Sequence, residues 1–183
     1  GMETIAQRYQ RLRDTFLATV AAVPPDRWDD PSPCEDWTAR DVVAHVVATQ
    51  GTFETLVGRS LEPGPDVADD PEGALRTATD QVQQHLEDPA TAGVEFDGML
   101  GRRSFEDAVN NFLGLDLIVH RWDLARATRL DKTILDVDIA WVREATGDAS
   151  EMIRSEGVCG PEVPVGPDAS EQDQMLAYLG RRP

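Results

Sequence analysis

Asp116 and His120 stand four residues apart in the stretch Asp116-Leu117-Ile118-Val119-His120-Arg121-Trp122-Asp123. The apolar residues around them, Phe105, Ala108, Val109, Phe112, Leu115, Val119 and Ala127, recur at helical spacing and mark one face. The carboxylate and the imidazole share that face, one turn apart, on the side that should be core. Left unpaired there, they would cost roughly several kcal/mol. A divalent ion satisfies both and asks for one more donor. His45, between Val42 and Val46 on the apolar side of an earlier helix, can supply it. Three protein ligands leave coordination positions open, the arrangement of a catalytic rather than a structural site. Imidazole and carboxylate together fit zinc, nickel or iron and do not decide among them. The competing arrangement is a buried Asp116–His120 hydrogen bond with His45 satisfied elsewhere.

The remaining reactive side chains read more plainly. His85 falls near the C-terminal end of a helix, where an imidazolium gains from the helix dipole, on a surface or half-buried position. Cys34 lies just before the second helix, either as an activated thiol or as a small packed residue. Asp123 either orients a metal-ligating histidine or solvates a helix surface. Trp28, Trp37, Trp122 and Trp141 are read as packing residues. No proton donor can be named.

These side chains need helices to position them. The first, from about Glu3 to Ala22, carries the stripe Ile5, Tyr9, Leu12, Phe16 and Val20, and Pro24 and Pro25 end it. The second starts at Thr38, with Asp41 in the capping position and Trp37 and Val42 spaced as a hydrophobic staple. Its inward face is expected to run Val42, Val46, Thr49, Phe53, Leu56. A solvated loop from Glu62 to Gly73 precedes the third helix, Glu72 to Glu87, with Leu75, Ala78, Val82 and Leu86 inward and Pro89 as its stop. Val94 to Arg103 has room for a short extended piece. The fourth helix is capped by Ser104 and runs to about Thr128 as one rod of roughly 37 Å. A fifth, from Asp136 or Asp138 to about Ile153, places Ile139, Val142 and Ala145 inward. A loop from Gly157 to Gly166 and a terminal helix from Ser170 to Leu179 complete the chain. No repeat and no useful strand alternation is present. The expected fold is all-α, a single domain over 2–183 with a four-helix bundle (about 3–130) and C-terminal helices (about 131–183).

Composition narrows the partners. The 183 residues carry a formal net charge of −17, which repels phosphate backbones and anionic lipid, so neither nucleic acid nor membrane is expected. Every basic residue except Lys132 is arginine. The two cysteines, Cys34 and Cys159, form no CxxC pair and no disulfide framework. Gly1 before Met2 reads as the remnant of an expression tag. The N-terminus lacks a signal-peptide core, and the longest apolar run, Phe16 to Val23, is too short to span a bilayer. A soluble, cytoplasmic protein is expected.

Two segments carry a resemblance. Pro33-Cys34-Glu35-Asp36-Trp37-Thr38-Ala39-Arg40-Asp41-Val42-Val43-Ala44-His45-Val46 resembles the N-terminal signature of the mycothiol-dependent maleylpyruvate isomerase-like family, within the DinB/YfiT-like metalloprotein superfamily. Val119-His120-Arg121-Trp122-Asp123-Leu124-Ala125-Arg126-Ala127-Thr128 resembles that group's second signature. The ending, from Pro164 through Gly180-Arg181-Arg182-Pro183, is similar to that of a single-domain, metal-binding actinobacterial subgroup. The resemblance implies a DinB-like bundle holding a divalent metal on His45, Asp116 and His120. Two departures from the family pattern are expected: the characterised isomerase has Glu where this chain has Asp116, and its additional C-terminal domain is absent here or reduced to a short tail.

The leading functional expectation is a metal-dependent transferase or isomerase that uses a low-molecular-weight thiol such as mycothiol. The metal would keep the thiol deprotonated for attack on a small electrophile. Metal-assisted hydrolysis is the second enzyme reading, and a non-catalytic, metal-binding or homodimerising bundle is the third.

Overall fold

Thr4 starts the first helix. Its hydroxyl accepts from the Gln7 N–H at 3.1 Å, and the Gln7 side chain accepts the Thr4 N–H at 2.9 Å. That reciprocal box satisfies two backbone donors that the first helical turn leaves over. Helix α1 (Ile5–Ala22) follows, and Pro24 and Pro25 lead into a 3-10 turn (Pro25–Arg27). The Thr38–Asp41 box opens α2 (Ala39–Thr55) in the same way, at 3.2 and 3.0 Å. Asp70 caps α3 (Pro71–Glu87), with proline at the first helical position, where its missing N–H costs nothing. A single turn, α4 (Pro89–Ala92), leads to a hairpin of β1 (Glu95–Gly98) and β2 (Gly101–Ser104). The last long segment is α5 (Phe105–Ala108), a π-helical turn (Val109–Leu113) and α6 (Gly114–Thr128).

This is a computed structural model that describes residues 2–147 and 160–183. The chain divides into two compact units, Gly1–Lys132 and Thr133–Pro183. In the first, α1 and α2 each pack against both α3 and α6, which makes a four-helix bundle. Its interior is closed by side chains with no measurable exposure, among them Phe16, Val42, Val46, Leu75, Val82, Leu113 and Leu124. Fully burying each such side chain contributes about 1.5–3 kcal/mol. The second unit holds α7 (Asp136–Gly147) and α8 (Glu171–Tyr178), with Ser170 capping α8. The Gln172 side chain there accepts the Ile134 N–H at 2.8 Å. Ile139 and Val142 are buried as expected, and Ala145 is half-buried. Cys159, the stretch expected to carry the fifth helix on to Ile153, and the start of the Gly157–Gly166 loop lie outside the described residues. Among the described residues no helix is long and apolar enough to cross a membrane.

Helical periodicity misplaces several side chains. The rod expected from Ser104 to Thr128 contains the π turn, which adds a residue to one turn and rotates the helix beyond it. Phe112, expected inward, is 37% exposed, and Leu113 takes the interior position with none. On α2 the interior positions past Val46 belong to Gln50 and Glu54, both fully buried. Phe53 is half-buried and Leu56 exposed, the reverse of what hydrophobicity suggests. The extended piece between Val94 and Ser104 is a hairpin in full register, from Glu95 opposite Ser104 to Gly98 opposite Gly101.

Gln50 and Glu54 are tolerated inside because they are paired. The Tyr9 hydroxyl donates to Gln50 Oε1 at 2.6 Å. Glu54 accepts from Arg59 Nε at 2.7 Å and lies 2.7 Å from His85 Nδ1. Arg13, also buried, pairs with Asp80 and donates to Thr79 at 3.1 Å. Burial holds the Tyr9 phenol well above its ordinary value near 10, with Arg13 opposing and the Glu54 and Asp80 charges reinforcing. The native state therefore keeps a proton that the unfolded chain releases. Its contribution is intact below pH 10 and shrinks as pH climbs above it. Tyr9→Phe is expected to cost ~1–2 kcal/mol at neutral pH, because Gln50 loses its donor. The variant should also lose less stability than the parent between about pH 9 and pH 11. Urea unfolding at both pH values checks this, and parallel losses would refute it.

Candidate metal centre

Antiparallel packing of α2 against α6 sets His45 opposite Asp116 and His120. His45 Nε2 lies 3.5 Å from Asp116 Oδ2, and His120 Nε2 lies 3.7 Å from Asp116 Oδ1. The carboxylate thus turns one oxygen to each imidazole. The two rings meet edge to face with centroids 4.9 Å apart. All three donor groups offer a ligand atom within 4.8 Å of the others.

Those separations are informative. At 3.7 Å the Asp116–His120 pair is too long for a hydrogen bond, so the plain paired arrangement is not what the side chains adopt. Donors ~2.0–2.2 Å from one ion in a tetrahedral array stand about 3.3–3.6 Å from each other. The two spacings from Asp116 need a shift of only a few tenths of an ångström to meet that condition. The donor set and its geometry fit a divalent ion.

Exposure falls from one side of the cluster to the other. The side chain of His45 is 35% exposed, Asp116 16%, His120 9% and Asp123 not at all. The cluster opens to solvent at His45 and is backed by Asp123, whose Oδ2 lies 2.9 Å from His120 Nδ1. With Nδ1 engaged, Nε2 is the nitrogen directed at Asp116, and the ring is held in that orientation. The Cys34 thiol donates to the same Asp123 oxygen at 3.3 Å. Burial by itself would lower the His120 pKa. The bonds to Asp123 and Cys34 and the charges of Asp116 and Asp123 outweigh it and raise the value to about 10.

Two neighbours of the cluster are not legible from spacing. Trp37 lays its ring beside His45, centroids 4.8 Å apart, and 6.1 Å from His120, so it walls the site besides preceding the α2 cap. Thr49 Oγ1 stands 3.5 Å from His45 Nε2 while donating to the His45 carbonyl at 2.8 Å. Cys34, His120 and Asp123 form a second group of possible donors, on the Nδ1 side of the shared histidine. There the carboxylate is already engaged by the ring and the thiol. His85 lies outside the centre, half-buried against Glu54.

Residues 9–125 match the mycothiol maleylpyruvate isomerase N-terminal domain family. The chain belongs to that family. The match spans the four bundle helices and ends within α6, past His120 and Asp123. Two uncharacterised proteins of Mycobacterium tuberculosis, from strains CDC 1551 / Oshkosh and ATCC 25618 / H37Rv, are each 31% identical over 179 residues. Each alignment covers 94% of this chain and 95% of the relative, so the likeness extends through the second unit as well. No solved structure matches the chain. Membership in the family agrees with the helical bundle.

Proposed function

We propose that the protein is a metal-dependent enzyme of the thiol transferase or isomerase type, with His45, Asp116 and His120 holding a divalent ion, zinc by preference. One observation carries the reading. Two imidazoles and a carboxylate from two helices converge, with His–Asp spacings that suit an ion and do not suit hydrogen bonds. A divalent ion there supplies a Lewis-acid centre that favours the deprotonated form of a thiol at neutral pH.

The chain's own residues do the rest. Asp123 fixes the direction of His120, and the Cys34 thiol donates to the same Asp123 oxygen that the ring engages. Trp37 covers one side of the imidazole pair and excludes water there. His45, the most exposed of the three, marks the side from which a small molecule enters. Family membership supports a low-molecular-weight thiol of the mycothiol type as co-substrate and a small electrophile as its target.

Untagged protein separates this reading from hydrolysis and from a non-catalytic bundle. After zinc loading, a cysteine-derived thiol is titrated in and its ultraviolet thiolate absorbance followed at neutral pH. A saturable absorbance that disappears on zinc removal is the expected result. Zinc binding with no thiolate signal would leave water as the nucleophile, and absence of zinc binding would refute the metal centre altogether.

A further inference from the structure

The second unit encloses a cavity of its own. Residues 162–165 run as irregular chain, because Pro161, Pro164 and Pro167 bar a helix there. The Val163 N–H donates to the Ala177 carbonyl at 2.9 Å, which ties this segment to α8. Gly180, just past α8, fixes where the chain crosses itself. Its φ is +88°, and a Cβ there would come within 2.9 Å of the Gly160 backbone, so only glycine fits. The last turns of α7 form another wall. Arg143 Nη2 donates to Gln174 Oε1 at 3.1 Å, and Gln174 Nε2 donates to the Ala169 carbonyl at 2.8 Å, a relay that links α7 to α8.

The space left between these walls is about 530 Å³. That is the size of a small-molecule pocket, well beyond the voids that close packing leaves. Its floor is apolar, from the buried Met175 and Ala177, with the half-buried Val163 and Tyr178 beside them. Arg143 and Glu162 also line it, both exposed. Among the described residues neither has an ion-pair partner, and they do not pair with each other. Arg143 meets the neutral Gln174 amide and keeps further donors beyond that bond. An apolar floor with one cation and one anion held apart is complementary to a molecule that carries both charges and an apolar body.

We propose that this cavity binds a zwitterionic small molecule, an α-amino acid or short peptide with an apolar side chain. The carboxylate bonds the Arg143 guanidinium, and the ammonium faces Glu162. The apolar side chain lies against Met175, Val163 and the Tyr178 ring. No residue of the cavity belongs to the metal centre, so the site stands independently of the proposed thiol chemistry.

The test uses the untagged full chain and three probes followed by ligand-observed NMR. They are phenylalanine, N-acetylphenylalanine, which lacks the ammonium, and phenylalaninamide, which lacks the carboxylate. Phenylalanine should bind with Kd in the low millimolar range expected of fragments, about fivefold or more tighter than either singly charged probe. Arg143→Gln should weaken phenylalanine binding by about tenfold and change that of phenylalaninamide by less than about twofold. Glu162→Gln should weaken phenylalanine binding by roughly three- to fivefold and leave N-acetylphenylalanine within about twofold. Glu171→Gln and Arg182→Gln, exposed on the same unit outside the cavity, should each change phenylalanine binding by less than about twofold. Absence of phenylalanine binding at about 20 mM, equal binding of the three probes, or equal losses in all four variants would overturn the site.

Discussion

Replacing His120 by alanine is expected to lower the affinity for zinc by more than about 100-fold, beyond the 10–100-fold that loss of a residue supporting a ligand costs. His120 is the most buried of the three candidate ligands and the one held by a second carboxylate, so no exposed group is placed to substitute for it. Asp116→Asn keeps the volume and removes the charge, and should act in the same direction. Stability offers a second readout. An ion that binds only the folded chain stabilises it by about 4 kcal/mol at a thousandfold excess over Kd. Zinc should therefore raise the melting temperature of the parent and leave that of His120→Ala unmoved. Zinc-binding stoichiometry and melting curves, both on untagged protein, decide the matter. A His120→Ala protein with the parent's zinc content and zinc-induced shift would remove the proposed centre. The metal-free protein holds a proton on His120, with a pKa of about 10, and zinc must displace it, so apparent affinity should also rise with pH below that value.

The second large effect lies far from the metal ligands. Arg59→Ala is expected to destabilise the bundle by about 3 kcal/mol, because it strips a fully buried carboxylate of its guanidinium partner. His85 remains 2.7 Å from Glu54 and keeps the cost toward the lower end of the range for broken buried pairs. The guanidinium also lies 4.5 Å from the centre of the Phe105 ring, so its apolar stem and stacking are lost as well. For a chain of this size the melting temperature should drop by about 10 °C. Replacing Glu54 by leucine in the same protein should recover part of the loss, since a buried ion pair exchanged for apolar packing is often neutral. Zinc affinity should stay at the parental value. A melting temperature within about 2 °C of the parent would show that Glu54 finds other compensation.

Much of the bundle is readable in advance because its signals are local. The capping pair at Thr38 and Asp41, the proline stops and the 3.6-residue stripes of α1 and α3 each act within a few residues. The structure keeps them all. The errors share one cause, which is that periodicity assigns the interior to apolar residues. It placed Phe53 and Leu56 inside α2, whereas Gln50 and Glu54 go inside because Tyr9, Arg59 and His85 arrive from other segments to pair with them. It also assumed a constant pitch past Ser104, and the π turn exchanged Phe112 for Leu113.

The candidate site divides along the same line. Sequence alone singled out His45, Asp116 and His120 as candidates, because ionisable residues on apolar helix faces, two of them at i, i+4 spacing, stand out against their neighbours. It left the role of Asp123 open and read Trp37 as packing. Only the tertiary structure decided that α2 and α6 run antiparallel at the register that faces His45 to Asp116. It also decided that Trp37 and Cys34 close in beside them. Those outcomes depend on contacts between residues far apart in the chain, and no local periodicity encodes them.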